Sequence, residues 1–251
     1  MTVPDSALLK FARAGEHLDT LKRKVAAFEQ NKPYGFREQI DKDRTQRTFF
    51  MVEKHRVPEQ IGLMIGDCIH NFRCVLDHLV FNLPRAHGTN ARWEGMSQFP
   101  ICDDSTRFAG MRSDMLGLDP TTRAVIESLQ PYFGGNDPVG HPLWYLRELS
   151  NFAKHRLIRF ATLIPTGFGI EVPLPATGTM HAVFAHGSVE HDAIIGKLYY
   201  SDPSPSGVQM KVTMSLGVTI AELEPAIGVQ TALVAIQNTV EDAMTKLAPF
   251  I

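Results

Sequence analysis

Between Pro58 and Pro84 the chain reads PEQIGLMIGDCIHNFRCVLDHLVFNLP, a run with three carboxylates, two imidazoles, three amides and a guanidinium. Asp67, His70, Asn71, Arg73, Asp77 and His78 fall within about three turns of a helix. A second set stands in Leu143–Arg159, where Arg147, Glu148, Asn151, Lys154, His155 and Arg156 crowd together. These side-chain types cover three kinds of chemistry. Histidine and carboxylate can move protons, arginine and lysine can hold a developing negative charge, and carboxylates with imidazoles can ligate a metal.

Helical spacing sorts them further, because residues three, four, seven and eleven apart share a face. Asp67, His70, Asn71, Cys74 and His78 line one stripe, with Arg73 and Asp77 beside it. Glu148, Asn151 and His155 line another, flanked by Arg147 and Lys154. If the two helices face each other, the stripes interlock as a buried polar network in which each carboxylate meets a cation. Such a network is a structural clasp between helices, in a non-catalytic ligand-binding or scaffold protein. Density argues for more than a clasp, since ions are costly to bury and facing ionisable groups are how sites tune pKa values. A metal-dependent enzyme is a further option, with Asp67, His70, His78, Glu148 and His155 as ligands. The spacing lacks a Glu-x-x-His element, and Glu148 and His155 stand two turns apart rather than one. No metal or other cofactor is expected on that count.

The segment Arg73-Cys74-Val75-Leu76-Asp77-His78 resembles the Arg-x(4–6)-His pattern of HEPN domains, the helical superfamily of ribonucleases and nucleotide-binding proteins. The resemblance implies metal-independent RNA cleavage by Arg73 and His78. His78 would serve as general base or acid at the ribose 2′-hydroxyl, and Arg73 would stabilise the phosphate. Asp67, His70, Asn71, Asp77, Glu148, Asn151, Lys154 and His155 would support them, with RNA as the partner. The family often places a polar residue after the arginine, where this chain has Cys74. Positions five apart lie ~140° apart around a helix, so Arg73 and His78 converge only on a groove shared with another helix or with a second subunit of a homodimer. More broadly, GDCIHNFRCVLDHLV followed by FPI, LQPY and LRELSNFAKHR resembles a set of uncharacterised bacterial proteins, which implies no mechanism.

The elements that must position these residues can be read from periodicity. Phe11, Leu18, Leu21, Val25 and Phe28 mark an amphipathic helix over Pro4–Gln30. Tyr34, Phe36 and Ile40, the DKDRT turn at Asp41–Thr45 and the bulky Thr48–Arg56 read as a hairpin, expected to cover one end of the helical core. His87–Arg107 reads as loop, with Phe99-Pro100-Ile101 as an apolar pin. Asp119-Pro120 predicts the start of a short helix. From Leu157 to Ile220 five short β-prone runs alternate with turn residues such as Pro165-Thr166-Gly167, the pattern of an antiparallel meander. Leu223–Leu247 returns to helix. The expected fold is α+β, one domain over residues 1–251, with a helical core at 1–160 and 222–251 and the β-rich segment at 157–220.

Composition sets limits. The 251 residues are 44% hydrophobic and 21% charged, as in an ordinary globular protein, and the net charge of −2 argues against a general polyanion-binding surface. No apolar run reaches the ~20 residues of a membrane span. Three cysteines without a Cys-x-x-Cys spacing point to a reducing, cytoplasmic setting. His181, His186 and His191 read as strand-edge and loop residues, and Gly134-Gly135 lacks the strand-then-helix context of a phosphate loop.

Overall fold

Apolar residues at steps of three and four form one buried stripe along Asp5–Gln30 (α1): Ala7, Ala14, Leu18, Leu21, Val25 and Phe28. The computed structural model describes the backbone at residues 2–86, 98–111, 118–155, 160–171, 179–184, 191–203, 211–220 and 227–251, and side chains at these residues except 84–86, 160–171 and 211–218. Within them the chain is α+β, as the sequence leads one to expect.

Two compact units divide it. The first comprises residues 1–22, 60–158 and 230–251, and is helical. Its long central helix, Glu59–Ala86 (α2), buries Ile61, Ile65, Ile69, Phe72, Leu76, Leu79 and Leu83. Phe72 meets Phe11 edge-to-face at 6.1 Å between ring centroids, and the Cys68 thiol reaches the carbonyl oxygen of Ala14 at 3.9 Å. The helix continues two residues past Pro84, where the sequence suggests a stop.

Ser105–Gly110 (α3) begins within the His87–Arg107 stretch expected to be loop and runs past its end. Asp104 accounts for it, since its carboxylate accepts the N–H of Arg107 at 2.8 Å. Pro120–Ser128 (α4) opens as Asp119-Pro120 predicts, with Asp119 Oδ1 accepting from the amides of Thr121 and Thr122. Gly134 and Gly135 then hold φ of +75° and +77°, a backbone open to glycine at no steric cost, and end that arm of the chain. Pro142–His155 (α5) follows, with His141 Nδ1 accepting the Leu143 amide at its start. Val229–Leu247 (α6) closes the chain with Val229, Leu233, Ile236 and Val240 fully buried.

The second unit, residues 23–59 and 159–229, holds the strands. Tyr34–Ile40 (β1) and Gln46–Glu53 (β2) form the expected hairpin. What the hairpin pattern did not reveal is its strand partner: β2 pairs with Ile194–Tyr200 (β5), which pairs in turn with Met180–Phe184 (β4), giving an antiparallel sheet of order β1-β2-β5-β4. Phe160–Glu171 (β3) and Lys211–Ile220 (β6) form a separate antiparallel pair. The Pro165-Thr166-Gly167 run, expected as a turn, lies inside β3. A register shift between Pro165 and Gly167 absorbs it, so two predicted runs are one bulged strand.

One face of the four-stranded sheet is apolar and buried, with Phe49, Met51 and Leu198 fully inaccessible. Gly196 lies opposite both Phe49 and Phe184 on that face. A Cβ there would stand 2.8 Å from Phe184 Cδ1, so glycine leaves room for the ring. Arg47 is buried on the same side and is held by Glu38 Oε1 at 2.7 Å.

Candidate functional site

The polar residues of α2 and α5 are not interlocked stripe against stripe. Asp67 and His70 are exposed, and His70 Nε2 contacts only the next turn of its own helix, Cys74 Sγ at 3.6 Å. Asn71 is buried but satisfied locally, donating to the Asp67 carbonyl at 2.8 Å. His155 is exposed at the end of α5. Arg156 and His186 lie outside the described residues.

Both helices direct their charges onto a third element, the extended segment 98–103. Arg73 Nη2 donates to the Phe99 carbonyl at 2.7 Å and contacts Asp77 Oδ1 at 3.2 Å, while Asp77 Oδ1 accepts the Phe99 amide at 2.7 Å. Guanidinium, carboxylate and peptide unit close a ring in which each charge has a partner. Gln130, at the end of α4 and almost fully buried, does the same one residue further on. Its Oε1 accepts from the Cys102 amide at 2.9 Å, and its Nε2 donates to the Pro100 carbonyl at 3.1 Å. From α5, Arg147 Nη1 reaches the Ile101 carbonyl at 3.4 Å and Asp103 Oδ1 at 2.6 Å. Glu148 holds the same guanidinium from its own helix, with Oε1 at 3.0 Å from Nε.

The physical reason is burial. Phe99, Pro100, Ile101 and Cys102 are all buried, and among the described residues no strand pairs with them to take their backbone groups. Buried peptide groups must be paired, and here side chains supply what a neighbouring strand would. The apolar pin and the polar stripes are therefore parts of one arrangement, and the clasp runs from helix to segment rather than from helix to helix.

Beside this segment opens a cavity of about 320 Å³. Four cations line it: Arg73 from α2, Arg107 from α3, and Arg147 and Lys154 from α5. Ser150, Asn151 and Gln98 add neutral polar groups, Phe99, Pro100, Ile101 and Met111 add apolar wall, and among the described residues no carboxylate lines the cavity. The cations are not equally committed. Arg147 is spent on Asp103, Glu148 and Ile101. Arg73 uses Nη2 for both its bonds, which leaves Nε and Nη1. Arg107 keeps only a long contact to Asp103 at 3.9 Å, and Lys154, exposed, has no acidic partner among the described residues. Among the described residues four carboxylates stand nearby, Asp77, Asp103, Asp104 and Glu148, so the positive character belongs to the cavity wall itself rather than to the whole neighbourhood.

Burial pushes the Asp77 carboxyl above the usual carboxylate range, and the Arg73 guanidinium and Phe99 amide only partly pull it back. It also raises the thiols of Cys74 and Cys102, and pushes Cys68 up to about 12. None of the three is an activated thiolate. Burial works against the charge of Arg147, yet Asp103 and Glu148 tip the balance toward the protonated form.

His78 does not line the cavity. It is half-buried, with Nδ1 sealed from solvent and without a hydrogen-bond partner among the described residues. Arg73 and His78 thus diverge around α2, as five-residue spacing requires. The metal alternative is not assembled either: among the described residues no three of His, Cys, Asp or Glu stand close enough to share an ion. Asp67 is exposed, and Glu148 is committed to Arg147.

Of the residues singled out in the sequence, the cavity and its clasp gather Arg73, Asp77, Arg147, Glu148, Asn151 and Lys154. They also use Gln98, Asp103, Arg107, Gln130 and Ser150, which helical spacing did not select. Only Gln130 left a trace, as a polar residue between the apolar Leu129 and Pro131 at the end of a predicted helix. Among the described residues no helix is long and apolar enough to cross a membrane. No family matches the chain, and comparison with curated proteins and with solved structures gives no match either, so the cavity has to be read from its own chemistry.

Proposed function

We propose that the protein binds a small phosphate-bearing ligand in the cavity beside segment 98–103. One observation carries this reading: four cations line a space of about 320 Å³ whose wall, among the described residues, holds no carboxylate. The volume falls at the lower end of small-molecule sites. Arginine offers a planar fork of donors to a phosphate and lysine a mobile point charge. Arg73, already anchored by Asp77 and Phe99, is preorganised, and its free Nε and Nη1 would grip the anion. Lys154 and Arg107, exposed at the rim, would close on it. The apolar wall of Phe99, Pro100 and Met111 suits a ring or short carbon skeleton attached to the phosphate.

Isothermal calorimetry with inorganic phosphate and with nucleoside monophosphates tests this. Binding is expected, tighter for the esters than for phosphate alone, and Lys154→Ala should weaken it about tenfold, in line with loss of a charge-assisted hydrogen bond. Lys154 is exposed, so the variant should fold normally. Absence of binding by wild-type protein, or full binding by Lys154→Ala, would overturn the proposal.

A second reading, metal-independent RNA cleavage by Arg73 and His78, draws support from Arg73 lining the cationic cavity and from the unpartnered Nδ1 of His78. Because His78 is not on the cavity wall, this reaction needs the histidine of a second copy at the phosphate held by Arg73. Cleavage of an RNA pool in EDTA, lost in His78→Gln and recovered on mixing that variant with Arg73→Ala, is the expected signature. RNA left intact by the wild type would rule it out and leave the ligand-binding proposal standing.

A further inference from the structure

The second unit carries a surface that the cavity does not use. Alternation along each strand sends odd-numbered β1 residues and even-numbered β2 residues to the face opposite Phe49 and Met51. Register then places Arg37 across from Phe50, Lys197 between Thr48 and Val183, and Tyr199 between Gln46 and His181. Lys54 joins them, since its Cε lies 2.9 Å from the point a Cβ on Gly35 would occupy on that same side. This face is open: Tyr199 is 39% and Val183 48% exposed, and Arg37, Gln39 and His181 are exposed too.

Its charge is one-sided. Arg37, Lys54, Lys197 and His181 point outward, whereas the strand carboxylates Glu38 and Glu53 belong to the other face by the same alternation. Asp192, at one end of the sheet, touches Arg37 Nη2 at 3.3 Å, and Asp41, whose Oδ1 accepts the Gln46 amide at 2.9 Å, stands at the other end, so the acids are confined to the rim among the described residues. In a chain of net charge −2, such a face is a local departure from the whole. It also presents flat π-surfaces. The Arg37 guanidinium stacks 4.2 Å above the Phe50 ring, and the Tyr199 ring stands about 13 Å along the strand direction, four residues on by register.

Cations interleaved with planar groups on an open sheet match one class of partner. Double-stranded nucleic acid hides its bases and offers only phosphates, which would leave Tyr199 and the Arg37–Phe50 stack idle. An acidic protein would use the cations but not the spacing of the planes. A single strand uses both, with bases on the planes and phosphates on the cations. We propose that this face of the β1-β2-β5-β4 sheet binds single-stranded nucleic acid. Tyr199 and the Arg37–Phe50 stack are the base platforms, and Lys54 and Lys197 hold the backbone. Gln39 and Gln46 flank the path between the platforms as neutral hydrogen-bonding groups, with Gln46 held in place by the buried Thr48 hydroxyl at 3.0 Å.

Fluorescence anisotropy with labelled oligo-U and oligo-dT strands of about 12 nucleotides, a length within the usual site sizes for such surfaces, provides the test. Wild-type protein should bind the strands and bind a duplex of equal length more weakly. Tyr199→Ala should weaken strand binding about tenfold, while Tyr199→Phe, which keeps the ring, should restore it. Lys197→Gln should lower the salt-dependence slope by about 0.7, the value for one phosphate contact on a single strand. The proposal fails if the duplex binds as tightly as the strand, or if Tyr199→Ala binds like the wild type. It fails too if Lys154→Ala weakens the strand as much as Tyr199→Ala, because the strand would then be held at the cavity. A sedimentation mass that rises with protein concentration and drops in Tyr199→Ala would show that the face joins two copies of the chain instead.

Discussion

Asp77 holds together three separate demands. It accepts the Phe99 amide, it balances Arg73, and it does so from a buried position that disfavours its own charge. The last point fixes a pH dependence. A carboxyl whose folded-state pKa lies above the unfolded value binds more protons in the folded chain across that window. Stability attributable to Asp77 therefore rises as pH falls through its folded pKa and declines as pH climbs above it. Asp77→Asn keeps an oxygen for the Phe99 amide but does not titrate. In urea titrations between neutral pH and the ordinary carboxylate range, the wild type should gain stability relative to Asp77→Asn as the pH is lowered. An opposite trend would mean that Arg73 dominates the carboxyl rather than burial. The role of Asp77 was half visible in the sequence. Spacing puts it one turn from Arg73, but nothing local says that Phe99, 22 positions on, is the shared partner. Arg147 makes the same point at a distance of 44 residues to Asp103. Periodicity reports which residues share a face of one element and is silent about what that face meets.

At the level of elements, the signals that carried through are those with a local cause. Asp119-Pro120 starts α4 because a carboxylate and a fixed φ act on the next three residues alone. The stripe of α1 and the β1–β2 hairpin are local in the same sense. Strand partnership is not. β2 finds β5 across some 140 residues, and the proline-containing run in β3 is a turn signal overruled by pairing with β6. Gly196 is the point where such long-range pairing leaves a sequence mark, a glycine inside a run of bulky residues. Its absent side chain is filled by the Phe184 ring. Gly196→Ala should place a methyl group against that ring and against the Val183 carbonyl, lowering stability by about 1–3 kcal/mol as overpacking does. Thermal unfolding measures this, and an unchanged midpoint would show that Phe184 swings aside freely.

Across the whole molecule, charge is distributed rather than absent. A net charge of −2 suggests a surface without preference for anions, yet each unit gathers cations in one place. In the first they converge on a cavity, and in the second they spread over an open sheet face. Whole-chain composition averages these away, which is why the expectation against a general polyanion surface coexists with two specific anion-directed proposals. They call for different ligands and different variants, and each can fail without the other.

The segment held by Arg73, Asp77, Gln130 and Arg147 has one more consequence, in the time domain. Phe99 and Cys102 lie outside any strand or helix, a setting in which amide protons usually trade with solvent quickly. Their donors are instead locked by Asp77 and Gln130. Hydrogen–deuterium exchange should find these two amides as slow as those in the middle of α2. Gln130→Ala, which strands two buried peptide groups, the Cys102 amide and the Pro100 carbonyl, at a cost of about 2–4 kcal/mol, should turn Cys102 into a fast exchanger before it melts the helices. The stretch that passes for a loop would then prove to be among the last parts of the first unit to breathe.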